Sequence, residues 1–232
     1  MAEAFTIANG VRIAWRRSAR ARRMTLRVPR DGGPVLLTLP VHVPLAQGAA
    51  FAESKARWLL DATGRRPRPS IVRHGAVMPV MGQNLTLTPA AVRAARIDGD
   101  ALLLPAGRPA GPVVQAFLKH HAADRLRAAC DRHAATLGRG YRALVLRDTR
   151  SRWGSCTADG RLMFSWRLAM APPAVLDYVA AHEVAHLRHM DHSPRFWAVV
   201  AALSPGHHDE RAWLRQNGAG LMAWLFSDPG GD

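Results

Sequence analysis

The segment His182-Glu183-Val184-Ala185-His186 constrains this chain more than any other. Its chemistry demands a helix. Residues four apart share one helical face, with Cβ atoms about 5–6 Å apart. His182 and His186 can then turn both imidazoles toward one metal ion at about 2.0–2.1 Å. Glu183 stands beside the first imidazole, where its carboxylate can reach a water on that ion without ligating it. A chain with 11 His and 4 Glu would carry the pattern by chance about 0.01 times. Val179, Ala180, Val184 and Leu187 surround it and predict a largely buried helix. Buried imidazoles and a buried carboxylate without partners are expensive, and a bound metal removes that expense. The plain alternative is a surface helix with solvated His and Glu.

Two residues compete as third ligand. His189 continues the same helical line, and ligands at 182, 186 and 189 would span about 10.5 Å at 1.5 Å per residue, a poor match to a tetrahedral ion. His192 lies just before Ser193-Pro194, a sequence that starts a new helix with Ser as N-cap and Pro at the first position. A chain turning there can bring His192 back under the metal, so the geometry favours His192. His207 and His208 are remoter; they are candidates for stabilising an oxyanion, but read better as loop or helix-end residues.

Outside this motif the chain divides by pattern. Residues 1–110 are β-rich. Asn9-Gly10 predicts a hairpin between strands 5–8 and 11–15, and Asp31-Gly32-Gly33 predicts another between 24–28 and 35–39. One helix is expected over 45–60, then a basic connector, Arg65-Arg66-Pro67-Arg68-Pro69. Short strands follow at 77–80, 85–88, 93–97 and 101–104. The Pro- and Gly-rich stretch 105–112 marks the expected boundary. Residues 111–232 are mostly helical, with helices expected at 112–137, 172–189, 193–203 and 208–217, the last stopped by Gly218. Strands at 143–147 and 161–165 flank the segment 152–156. No internal repeat is evident.

Hydrophobic residues make up 48% of the 232, which excludes disorder as the main state. No apolar run approaches the roughly 20 residues of a membrane helix. Cys130 and Cys156 form no C-x-x-C, and the N-terminus shows no apolar signal segment, so a reducing compartment, the cytoplasm, is expected. The net charge is +15; of 32 basic residues only Lys55 and Lys119 are lysines, leaving 30 arginines. An Arg excess suits a polyanionic partner. It also arises from composition alone, so only weak, salt-sensitive binding to nucleic acid or nucleotide is expected.

Further motifs give the chain a family resemblance. Ser151-Arg152-Trp153-Gly154-Ser155-Cys156, Trp166-Arg167-Leu168, Pro172 or Pro173, Asp177-Tyr178, the His182 to Leu187 segment and His192-Ser193 with Phe196-Trp197 resemble the YgjP-like metallopeptidases. Residues 20–28, Pro40 and Lys55-Ala56-Arg57-Trp58 extend the likeness into the N-terminal half. The C-terminal half is also similar to the SprT/Spartan and WLM proteases. The resemblance implies a zincin-type core with zinc on His182, His186 and His192 and Glu183 as base.

Together these readings predict an α+β fold, with a β-rich region 1–110 packed on a zincin-like core 111–232. The expected activity is zinc-dependent hydrolysis of peptide bonds in a protein or peptide substrate. Water on the zinc would attack, with Glu183 as general base. Arg152, Trp153, Gly154 and Ser155 are expected to bind substrate, their strand offering an edge to an extended peptide. Cys156 as nucleophile is unnecessary when a metal site carries its own base. The rival expectations are a metal-dependent phosphohydrolase of nucleotides, and a nucleic-acid-associated protein whose metal is structural.

Overall fold

Turn chemistry starts the first sheet. Gly10 takes φ +82°, a conformation that costs glycine nothing, and Asn9 Oδ1 accepts the Val11 N–H at 3.1 Å. Strand β1 (Ala4–Thr6) thereby pairs antiparallel with β2 (Arg12–Ser18). Strands β3 (Thr25–Arg27) and β4 (Val35–Pro40) pair antiparallel as the hairpin reading expects. The residues described in this computed structural model are 3–29, 33–64, 67–149 and 151–227, so most of that second turn lies outside them, as do Arg65 and Arg66 of the basic connector. Strand β4 inserts beside β2 in parallel, giving the order β1-β2-β4-β3. One face buries Ile13, Val35, Leu37 and Leu39 with Ala52 and Leu59.

The helix expected over 45–60 is two, α1 (Leu45–Glu53) and α2 (Ala56–Gly64). Ser54 separates them, its hydroxyl donating to the Phe51 carbonyl at 2.8 Å. Such local side-chain bonds compete with helix continuation.

The chain divides into two compact units, Met1–Pro69 and Ser70–Asp232. The boundary expected at 105–112 therefore moves upstream. The strands before that stretch share a core with the helix after it: Leu85, Leu87, Leu102 and Leu104 are buried in one cluster with Val114, Leu118 and Leu126.

The second unit opens with β5 (Ser70–Ile71), then β6 (Val77–Val80), β7 (Gln83–Ala90), β8 (Arg96–Asp98) and β9 (Ala101–Pro105). Their sheet runs β6-β7-β9-β8, with β7 and β9 parallel. That is the connectivity of the first sheet repeated. The sequence shows no repeat because topology constrains alternation and turns, not residue identities. Helix α3 (Ala110–Leu137) buries Val114, Leu118, Ala122, Leu126 and Cys130 at four-residue intervals and ends on Gly138 in the left-handed region.

Strands β10 (Ala143–Arg147), β11 (Gly154–Cys156) and β12 (Arg161–Ser165) form a sheet ordered β10-β12-β11, which leaves β11 at an edge. A 3-10 helix, Trp166–Met170, leads to α4 (Pro173–Ala185), α5 (Pro194–Leu203), α6 (His207–Met222) and β13 (Trp224–Leu225), which pairs with β5. The fold is α+β, as expected, and among the described residues no helix is long and apolar enough to cross a membrane.

Two helix ends differ from expectation. Helix α6 runs past Gly218 because that glycine is a packing site: a Cβ there would sit 3.0 Å from Trp153 Cζ2. Helix α4 ends at Ala185 rather than 189, its last turn tightening through Leu187 N–H to Val184 O and Arg188 N–H to Ala185 O, each 3.0 Å.

Arg167, 1% exposed, closes this unit. Its Nε and Nη2 donate to the Asp148 carboxylate at 2.7 and 3.3 Å, and Nη1 to the Leu221 and Trp224 carbonyls at 3.2 and 2.9 Å. A buried guanidinium persists only when its donors are so satisfied.

Candidate metal centre

The early end of α4 shapes the site. The chain leaves the helix at His186, turns, and returns at His192, where the Ser193 hydroxyl caps α5 by accepting the Phe196 N–H at 3.4 Å. His182, His186 and His192 thus converge, each offering one ring nitrogen, and these atoms lie within 4.8 Å of one another. His182 Nε2 and His192 Nε2 are 3.2 Å apart. Two nitrogens held by one tetrahedral zinc at about 2.0–2.1 Å stand about 3.4 Å apart, so this pair fits the ion.

Protonation also suits a cation. Burial, then the neighbouring His186 and His192, lower the His182 pKa to about 3. Burial likewise lowers His186. His186 Nδ1 lies 2.9 Å from the His189 carbonyl. A carbonyl only accepts, so Nδ1 carries the proton and Nε2 keeps its lone pair for a metal. His189 therefore contributes its backbone, and its ring does not join the cluster. His182 Nδ1 is buried without a hydrogen-bond partner among the described residues.

Glu183 follows His182 on the helix and is 5% exposed. Burial pushes its carboxyl up to about 8, and the Arg152 charge opposes that rise. Its carboxylate lies against β11, where a Cβ on Gly154 would come within 2.5 Å of Oε1. An open cavity of ≈ 240 Å³ is lined by Gly154, Ser155, Cys156, His182, Glu183, His186, Met190 and His192.

Of the four residues expected to bind substrate, Gly154 and Ser155 line this cavity, while Arg152 and Trp153 do not. Arg152 acts through its charge, and Trp153 is spent on packing against α6. Cys156 is in the cavity, but burial, with Glu183 and Asp159, pushes its thiol up to about 11, which leaves it protonated and a poor nucleophile.

Sequence reasoning did not find Phe196 and Trp197 as neighbours of the site. The Phe196 ring stacks on His186 at 4.4 Å, and Trp197 approaches His182 and His192 at 5.6 and 6.0 Å. They enter the sequence reading only as part of the family motif. The available signal was their position one turn into the helix that follows His192.

An α+β fold that draws three imidazoles and a buried carboxylate to one open cavity has the layout of a metal-dependent hydrolase. The chain belongs to the YgjP-like metallopeptidase family, whose metallopeptidase domain matches residues 22–217. The crystal structure of the metallopeptidase zymogen of Pyrococcus abyssi abylysin is 20% identical, with 40% of this chain and 92% of that one covered at a TM-score of 0.36. Comparison with curated proteins gives no match.

Proposed function

We propose that the protein is a zinc-dependent peptidase whose ligands are His182, His186 and His192 and whose general base is Glu183. The observation that carries this reading is the convergence of three imidazoles, with ligand atoms within 4.8 Å, beside a buried carboxylate in an open cavity. When bound, zinc polarises a substrate carbonyl and makes water a nucleophile at neutral pH. Glu183, held against β11, accepts the proton of the attacking water and returns it to the leaving nitrogen. The ordered turn at His189 keeps the His186 ring in the ligating tautomer. The edge of β11 at Gly154 and Ser155 lies in the cavity wall, where an extended peptide can add as a further strand. The Arg152 charge opposes the rise of the Glu183 carboxyl and so favours the ionised form, the one that accepts a proton.

The test is Glu183→Gln, with zinc content, melting temperature and turnover measured on one preparation. Zinc and fold are expected to survive, while cleavage of an unfolded protein falls by about 10²–10⁴-fold, the range of general-base catalysis. Loss of zinc would make Glu183 a ligand. Retained zinc with unchanged turnover would refute the assignment of the base. Turnover of nucleoside triphosphates with none of polypeptide would replace the peptidase reading by phosphohydrolysis.

A further inference from the structure

The arginine excess is not evenly spread. Residues 1–69 hold 13 Arg or Lys against 4 Asp or Glu, a net +9, while the remaining 163 residues carry only +6. A purely compositional excess would follow length, and this one does not. Pairing differs as well. In the second unit Arg96, Arg132, Arg142 and Arg167 each bind an aspartate within 3.2 Å. Among the described residues, the sequence gives the first unit few acids to do the same.

Strand alternation sorts these charges. In the sheet β1-β2-β4-β3 the core face holds Ile13, Leu26, Val35 and Leu37. The opposite face carries Arg12, Arg16 and Arg27, all exposed, among the hydroxyls of Thr25 and Thr38. None of these three arginines is ion-paired among the described residues, and alternation puts no Asp or Glu of the four strands on their face. Arg12 and Arg16 are four residues apart on β2, about 13 Å at 3.3 Å per residue. Arg27 pairs with Leu36, which pairs with Ala14, midway between them. Two strand spacings across, it stands about 12 Å from each. The arginines thus mark a near-equilateral triangle on a face to which the four strands contribute no acid.

We propose that this sheet face binds the phosphate backbone of duplex nucleic acid, without sequence preference. The triangle's edges are of the scale of a duplex groove, so the long arginine side chains can reach phosphates of both strands. Guanidinium forks and hydroxyls are the donors that phosphates take. Single strands are bound chiefly by aromatic stacking platforms, and this face has none: Trp15 packs on the core side, and exposed Trp58 lies on α2, whose Leu59 enters that same core. A lipid surface would favour exposed large apolar side chains beside the charges, and Leu36, the one such residue between the arginines, is partly buried.

The test uses the full chain and a short labelled duplex, read by fluorescence anisotropy across a salt series. Arg12→Gln, Arg16→Gln and Arg27→Gln combined are expected to weaken binding at least about tenfold at low salt and to flatten the log–log salt slope by about 2.7, at 0.9 per phosphate contact. The control combines Arg93→Gln, Arg108→Gln and Arg139→Gln, which remove the same charge from the second unit. It is expected to leave affinity within about twofold and the slope unchanged. Melting curves for both variants confirm that the fold is intact. Equal losses in the two variants, or no duplex binding by the parent at low salt, would overturn the proposal. So would tighter binding to the corresponding single strand, or tighter binding to phosphatidylserine vesicles that the first variant abolishes.

Discussion

Gly154→Ala should be damaging for a reason confined to one neighbour. A Cβ at that position would lie 2.5 Å from Glu183 Oε1, 2.6 Å from Cγ and 2.7 Å from Cδ. Ordinary contacts begin near about 3.5 Å, so either the carboxylate or β11 must move by close to 1 Å. Glu183 is buried, and β11 is tied to β12 by its ladder. Neither can move freely, and overpacking of this kind costs about 1–3 kcal/mol. With Glu183 as the proposed base, a displacement of that size should lower turnover by about 10²-fold. A double-mutant cycle isolates the cause. Glu183→Ala removes all three clashing atoms, so Gly154→Ala introduced into that background should cost almost nothing. The expected coupling is about 1–3 kcal/mol, read by urea denaturation of the metal-free protein, which needs no substrate. If Gly154→Ala is equally destabilising with and without Glu183, the contact between them is not what excludes a side chain.

The proposed metal ligands make a second contrast: His186→Ala and His192→Ala should lose zinc by elemental analysis and lose the rise in melting temperature that added zinc produces. His189→Ala should keep both, because only its carbonyl is used. Asp177 accepts from Arg132 at 2.6 Å and from His133 at 3.1 Å, and the His133 bond, against burial, holds its carboxyl below the usual range. A depressed carboxylate stabilises the fold at neutral pH and loses that contribution as pH falls through its folded pKa. Asp177→Asn should therefore cost about 1–2 kcal/mol at pH 7, reduced by partial exposure, and its melting curve should converge with the parent's in acid.

What could be read from the residues was what short-range geometry dictates. The spacing of His182 and His186 is a property of any helix, so their shared face and the place of Glu183 follow without knowledge of the fold. The Asn9-Gly10 hairpin and the Ser193-Pro194 helix start were legible because a turn or a cap is a contact within a few residues. The rest required contacts between segments far apart in the chain. Residues 105–112 look like a boundary because Pro and Gly break local structure, yet the strands before them and α3 after them bury one core. Gly218 looks like a stop signal, but Trp153, arriving from 65 residues upstream, makes it a packing site within α6. Gly154 carries no local mark of its contact with Glu183, since a missing side chain has no pattern. The partners of Arg167 come from the Asp148 loop and the C-terminal segment, and the convergence of His192 depends on where α4 stops. Local sequence sets which atoms can do chemistry; long-range packing sets the distances between them.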